Sequence, residues 1–225
     1  MHSMPPLPIS SANSTSPAVT DLLIDGPHDA AVTYAFAHGA GAPADSDFMT
    51  LVAQGLGHAG LRVVRFEFPY MARRRAEGTR RPPDRQPVLL ETWRNVIAEL
   101  GNPDRLIIGG KSMGGRMASL VADETGVAGL VAFGFPFHAP GKPPGTRIEH
   151  LSSLKTPSLF IQGTRDALGS RDDVADYDLS PAVTMHWIED GDHNLKPRKK
   201  SGWTHDEALT ASLAAAASFM KNSRP

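Results

Sequence analysis

The chain has no cysteine among its 225 residues. That absence excludes disulfides, thiolate metal sites and a cysteine nucleophile, so covalent chemistry here must run through another side chain. No apolar run approaches the ~20 residues that a membrane-spanning helix requires. The first residues carry neither the basic start nor the apolar centre of a secretory signal. A surplus of one charge is missing as well, since 23 Lys and Arg stand against 24 Asp and Glu. Neither nucleic acid nor a membrane surface is therefore expected as a partner. A cytoplasmic location is the expectation that these absences leave.

What is present is ordinary globular material, 40% apolar and 21% charged, and enough of it to bury a substantial core. Residues 1–17 are rich in Ser and Pro. The expected division is a disordered leader or cloning remnant over 1–18 and one domain over 19–225. Strand-like runs fall at 19–24, 31–37, 61–68, 127–133, 156–161 and 183–188, with another ending at Gly109. Helical patterns fall at 45–58, with Phe48, Leu51, Val52, Gly55 and Leu56 on one face, and at 88–100, with Leu89, Trp93, Val96, Ile97 and Leu100 inward. A third follows Ser112 as far as Thr125, and a last one opens at Thr204-His205-Asp206-Glu207 with a capping box. Residues 69–87, rich in arginine and proline, are expected to form a loop. Continuous apolar strands alternating with helices predict a doubly wound, mostly parallel α/β sheet of about seven strands. Ligands of such sheets bind at the carboxyl ends of the strands.

One stretch organises the rest: Arg105-Leu106-Ile107-Ile108-Gly109-Gly110-Lys111-Ser112-Met113-Gly114-Gly115-Arg116. A strand ends in glycines, a serine follows, and further glycines open a helix. Gly110-x-Ser112-x-Gly114 fits the nucleophile elbow of α/β-hydrolases, in which the serine hydroxyl stands exposed above the sheet at a sharp strand-to-helix bend. The rival, a phosphate-binding P-loop ending in Gly110-Lys111-Ser112, needs a glycine where Arg105 stands.

A serine hydroxyl needs a base to take its proton and an acid to orient that base. Asp166 follows a buried strand on the turn Gly163-Thr164-Arg165-Asp166 and is the candidate acid; Asp172, Asp173 and Asp176 read better as helix caps. His193, in Glu189-Asp190-Gly191-Asp192-His193-Asn194, is the candidate base, with Asp190 and Asp192 pointing elsewhere. His186 falls inside a strand and His205 at a helix start, so both read as structural. The expected oxyanion donors are the N–H groups of Met113, next after the serine, and Ala40, in His38-Gly39-Ala40-Gly41. His38 itself reads as a residue that holds the loop's shape. Gly39, Tyr70, Arg80 and Arg81 are candidate substrate contacts, the two arginines for an anionic group. The basic run Lys196-Pro197-Arg198-Lys199-Lys200 could line the other rim. The link 135–154 is short and rich in proline and glycine, with no room for a cap domain.

Six ordered motifs carry a resemblance: residues 38–42, 66–71, 81–85, 110–116, Gly163-Thr164-Arg165-Asp166 and Gly191-Asp192-His193. They resemble a small family of lidless α/β-hydrolases. It includes bacterial dienelactone-hydrolase-like proteins, the testis-expressed hydrolase-like protein and the hydrolase-like domain of a subunit of the NSL histone-acetylation complex. The resemblance implies the hydrolase fold, with Ser112, Asp166 and His193 as triad. It implies little about substrate, and dienelactone hydrolases proper use a cysteine that this chain lacks. The resulting expectation is a serine hydrolase, a carboxylesterase of small esters, anionic ones included, with no metal or organic cofactor. Two alternatives stay open: a thioesterase or peptidase with the same three residues, and a non-catalytic interaction module of the same shape.

Overall fold

The computed structural model describes residues 22–142 and 147–223. The leader assigned to 1–18 lies outside them, as do residues 143–146 of the link. Seven strands form one sheet: β1 (Leu23–Asp25), β2 (Thr33–Ala37), β3 (Arg62–Phe66), β4 (Leu106–Lys111), β5 (Gly129–Phe133), β6 (Ser158–Gly163) and β7 (Val183–Ile188). Their order is β1-β3-β2-β4-β5-β6-β7. Only β1 runs antiparallel, against β3.

The central strands β2, β4, β5 and β6 are apolar on both faces because both faces are covered. Ala35 and Ala37 of β2 and Leu106 and Ile108 of β4 pack toward one layer, with Trp93, Met117 and Ala118. The alternate residues Tyr34, Phe36 and Ile107 join Met49, Val52, Leu56 and Met220 in the other. The first layer belongs to α3 (Gln86–Leu100) and α4 (Met113–Ser119), the second to α1 (Asp47–His58) and α7 (His205–Asn222). Within α1 the inward face is Met49, Val52, Ala53 and Leu56. Leu51, expected inward, is exposed.

The segment 69–87 corrects the expectation of a loop. Pro69–Glu77 forms helix α2, and α3 begins at Gln86 rather than 88. Proline is excluded from helix interiors but suits the first turn, where its missing N–H has no partner to lose. Pro69 and Pro87 both occupy that first turn. The helix after Ser112 is also shorter than expected: α4 stops at Ser119, and α5 (Ala122–Thr125) ends at Gly126 in the left-handed region. Short helix α6 (Arg171–Ala175) follows β6, with Ser170 and Asp173 in a capping box. Among the described residues, the link from β5 to β6 adds the 3-10 turn Glu149–Ser152 and no cap domain.

After β2 the chain moves outward to β3, then crosses back to place β4 on the other side of β2. The loops leaving β2 and β4 thus diverge and open a crevice at the carboxyl edge. Ser112 stands in that crevice. The bend is possible only because glycines let backbones touch. A Cβ on Gly110 would lie 2.4 Å from the carbonyl oxygen of Ala37 and 2.8 Å from the carbonyl carbon of Gly114. Neither contact is a side chain that could swing away. Gly110→Ala is therefore expected to destabilise the protein by about 3 kcal/mol or more. Urea titration followed by circular dichroism measures this, and a loss below about 1 kcal/mol would show that β2 and β4 can separate cheaply.

Candidate active site

Ser112 is the only residue between β4 and α4, and its backbone is held at φ 50°, ψ −116°. Such a conformation costs a residue with a Cβ about 1–3 kcal/mol and persists only where the surroundings over-determine it. Here the serine N–H donates to the carbonyl of Phe133 on β5 (3.0 Å), and its own carbonyl accepts from Arg116 in α4 (3.1 Å). The side chain is thereby lifted above the sheet toward the loop after β7.

That loop presents His193. Nε2 of His193 lies 2.9 Å from Oγ of Ser112, and Nδ1 lies 2.8 Å from Oδ2 of Asp166. The carboxylate only accepts, so Nδ1 carries the proton and Nε2 is free to accept the serine's. Asp166 is fully buried. Its Oδ2 also accepts from Nε2 of Gln162 (2.8 Å), and its Oδ1 from the N–H of Leu168 (2.8 Å). Gln162 is buried on β6 and fixed at its other end, where Oε1 accepts from the N–H of Phe135 (2.7 Å). A serine, an imidazole and a buried acid linked in this order can pass the hydroxyl proton to the ring while the acid stabilises the imidazolium.

The His193 loop is tied on both sides. Oδ1 of Asp192 accepts from the N–H groups of Asn194 (2.8 Å) and Lys196 (3.0 Å). Asp190 receives both the backbone N–H and the Nε of Arg198, at 2.8 and 2.9 Å. Both acids thus hold the loop and neither faces the imidazole, and Arg198 of the second basic run is committed to this anchor. Lys111 completes the support: Nζ donates to the carbonyl oxygen of His193 at 2.6 Å, beneath the Phe48 ring. A Cβ on Gly134 (φ +62°) would lie 2.7 Å from both of those atoms, so this contact needs glycine there.

Burial pushes the Lys111 ammonium down to about 8 from 10.5, against a smaller opposing pull from Asp166 and Asp192. Between those two values the unfolded chain binds more protons than the folded one. Stability therefore rises with pH across that window, by at most about 3 kcal/mol. In Lys111→Met the rise should vanish. Urea midpoints measured from pH 7.5 to 10 check this, and equal slopes for the two proteins would contradict it.

The loop after β2 approaches from the opposite side. His38, fully buried, accepts the N–H of Phe68 at Nε2 (3.1 Å) and so must donate from Nδ1 to the carbonyl of Gly39 (2.7 Å). Burial lowers its basicity, which suits a neutral ring bridging two loops. The hydroxyl of Tyr70 donates to the carbonyls of Ala40 (3.0 Å) and Gly39 (3.3 Å), and the ring is fully buried. Tyr70, expected at the substrate, thus lies beneath the loop and sets its shape. Among the described residues, the N–H groups of Ala40 and Met113 donate to no other protein group. Both residues border the space above Ser112, as does Gly39.

Arg80 and Arg81 do not reach this space. Arg81 pairs with Glu77 at 2.9 Å, and both arginines are exposed on the outer loop. Neighbouring arginines are equally occupied: Arg73 with Asp84, and Arg75 with Glu67 and Asp45. Sequence reasoning gives no role in the site to Gln162, Arg116 or Arg147, and meets Lys111 only as part of the rejected phosphate loop. Two hollows flank the serine. One, of about 350 Å³, is bordered by Gly39, Phe48, Lys111, His193 and Asn194. The other, of about 420 Å³, is bordered by Met113, Arg116, Pro136, His138 and Arg147. A larger one of about 650 Å³, beside Trp203 and α7, holds none of these groups.

Comparison with known proteins agrees with this fold. Dienelactone hydrolase from Anabaena variabilis is 25% identical, with a TM-score of 0.66 over 89% of this chain and 90% of that one. A serine hydrolase without lid from Xanthomonas campestris is 20% identical, with a TM-score of 0.60 over 90% and 87%. Est1E from Butyrivibrio proteoclasticus, solved with ferulic acid bound, shares the fold at 14% identity, with a TM-score of 0.67 over 90% and 94%. The profile of the family described as alpha/beta hydrolase domain matches residues 30–221. The chain belongs to that α/β-hydrolase family.

Proposed function

We propose that the protein is a serine carboxylesterase of small esters, with Ser112 as nucleophile, His193 as general base and acid, and Asp166 as the orienting acid. The observation that carries this reading is the unbroken contact from Ser112 through His193 to Asp166, at 2.9 and 2.8 Å. Oγ of Ser112 attacks the ester carbonyl as its proton passes to Nε2 of His193. The oxyanion that forms is held by the N–H groups of Met113 and Ala40, each worth about 10²–10³ in turnover. Collapse breaks the bond to the alcohol oxygen, and His193 returns its proton to that oxygen. Water then gives a proton to His193 and attacks the acyl-enzyme. The acid leaves and Ser112 recovers its proton.

The lidless architecture, with hollows on two sides of the serine, suits small or protruding substrates. The six ordered motifs support placing the chain beside the testis-expressed hydrolase-like protein and the NSL-complex domain. The lack of cysteine fits a cytoplasmic protein. Hydrolysis of 4-nitrophenyl acetate and butyrate, set beside matched thioesters and short peptides, tests the reading. Esters should turn over fastest. Preference for thioesters or peptides would reassign the substrate, and inertness toward all of them would favour a non-catalytic module.

A further inference from the structure

The two hollows beside Ser112 have different roles in the ester hydrolysis proposed for this site, and the subsite inferred from them rests on that reading. The departing alcohol takes its proton from Nε2 of His193, so it leaves on the side that His193 and Asn194 border. The acyl group, still bonded to Ser112, occupies the opposite groove. Two arginines border that groove: Arg116 on α4, one helical turn beyond the nucleophile, and Arg147 on the β5–β6 link.

Among the described residues, Arg116 has no side-chain partner, and its Nε is sealed from solvent without a hydrogen bond. Burial disfavours its charge, and the nearby charge that adds to this is another cation, Arg147. Beside it, Nε2 of His150 sits 2.8 Å from Oγ of Ser119, and burial together with Arg116 pushes the imidazole down to about 4. The groove's carboxylate, Asp84, is already engaged by Arg73 and by the N–H of Tyr70 at 2.8 Å. A guanidinium does not deprotonate in proteins. A half-buried one near a second, with no counter-ion among the described residues, is electrostatically unsatisfied until an anion arrives.

We propose that Arg116 and Arg147 form a carboxylate-binding subsite for the acyl group, and that the preferred substrates are half-esters of short dicarboxylic acids. This moves the anion site from the exposed Arg80 and Arg81 to the inner wall of the groove. The carboxylate would accept from the planar donor forks of the two arginines while the ester carbonyl lies between Met113 and Ala40. A neutral acyl chain would leave both cations unpaired.

The test compares mono-4-nitrophenyl glutarate with 4-nitrophenyl butyrate, whose leaving group is the same. The wild-type ratio of kcat/KM should favour the glutarate ester by at least about tenfold. It should fall by about ten- to a hundredfold in Arg116→Gln and in Arg147→Gln. Arg116→Lys should keep part of the preference, and Arg80→Gln/Arg81→Gln should keep all of it. Circular dichroism checks that each variant folds, and Arg147→Gln serves where Arg116→Gln does not. A wild-type ratio near one, or a ratio that neither variant changes, would overturn the subsite. If wild type hydrolyses neither ester, the esterase reading fails and the subsite is judged by calorimetric binding of glutarate to the wild-type protein. Binding that Arg147→Gln weakens at least tenfold would uphold it; no binding, or binding that Arg147→Gln weakens less, would overturn it.

Discussion

Replacing Ser112 by alanine is expected to lower kcat toward 4-nitrophenyl butyrate by roughly 10⁶-fold while leaving the fold intact. Without Oγ there is no acyl-enzyme, and only the oxyanion donors and substrate binding remain to assist water. The same position links activity to stability. Alanine inherits the φ of 50° and its strain, so Ser112→Ala should change stability little. Glycine carries no Cβ to be strained. Ser112→Gly should therefore gain about 1–3 kcal/mol of relieved strain, less about 0.5–1 kcal/mol of added unfolded-chain entropy. A variant that is inactive yet melts higher than wild type is the expected signature, read by calorimetry beside active-site-titrated kinetics. A Ser112→Gly protein no more stable than Ser112→Ala would mean that the serine backbone is not strained.

Asp166→Asn should cost about 10⁴-fold in kcat, although it changes one atom. Every group around this carboxylate donates: His193 Nδ1 and Gln162 Nε2 to one oxygen, the N–H of Leu168 to the other. An asparagine must turn its NH₂ toward one of these sets. Turned toward Leu168, it opposes a backbone N–H that cannot reorient. Turned toward His193, it forces the ring to accept at Nδ1 and carry its proton on Nε2, where it can no longer take the serine's. Gln162 cannot flip to compensate without losing its bonds to both the N–H and the carbonyl of Phe135 (2.7 and 3.1 Å). Steady-state kinetics give the size of the effect. The imidazole nitrogen shifts in an NMR spectrum report which nitrogen bears the proton. A loss below tenfold with Nδ1 still protonated would contradict this account of Asp166.

The meeting of Ser112, Asp166 and His193 is legible in the sequence because each follows a strand, and parallel strands all end at one edge of the sheet. Glycines mark the elbow for the same reason that Gly110→Ala is expected to fail: only they fit between crossing backbones. What sequence could not reveal depends on partners far apart in the chain. Gln162 sits within an apolar strand, and a single polar residue in that setting is the available signal for a buried hydrogen-bonding role. Lys111 suggests a phosphate loop, but its target is a carbonyl 82 positions away. Local density of arginines favours Arg80 and Arg81. Pairing and position decide otherwise: Arg73, Arg75 and Arg81 are engaged by Asp84, Glu67, Asp45 and Glu77, and Arg80 is exposed on the outer loop, while Arg116 borders the groove without a side-chain partner among the described residues. The missed helix α2 and the early start of α3 have a different cause, since a proline that stops a helix when interior can begin one in the first turn, as Pro69 and Pro87 do.

The measurement that bears most directly on the central claim is covalent labelling by a fluorophosphonate, located by peptide mass spectrometry. The hydroxyl of Ser112 should displace fluoride and carry the phosphonyl group. Labelling should be absent in Ser112→Ala and slowed by several orders of magnitude in His193→Ala. A wild-type protein that stays unlabelled at this serine, or labels there equally fast without the imidazole, would contradict the account.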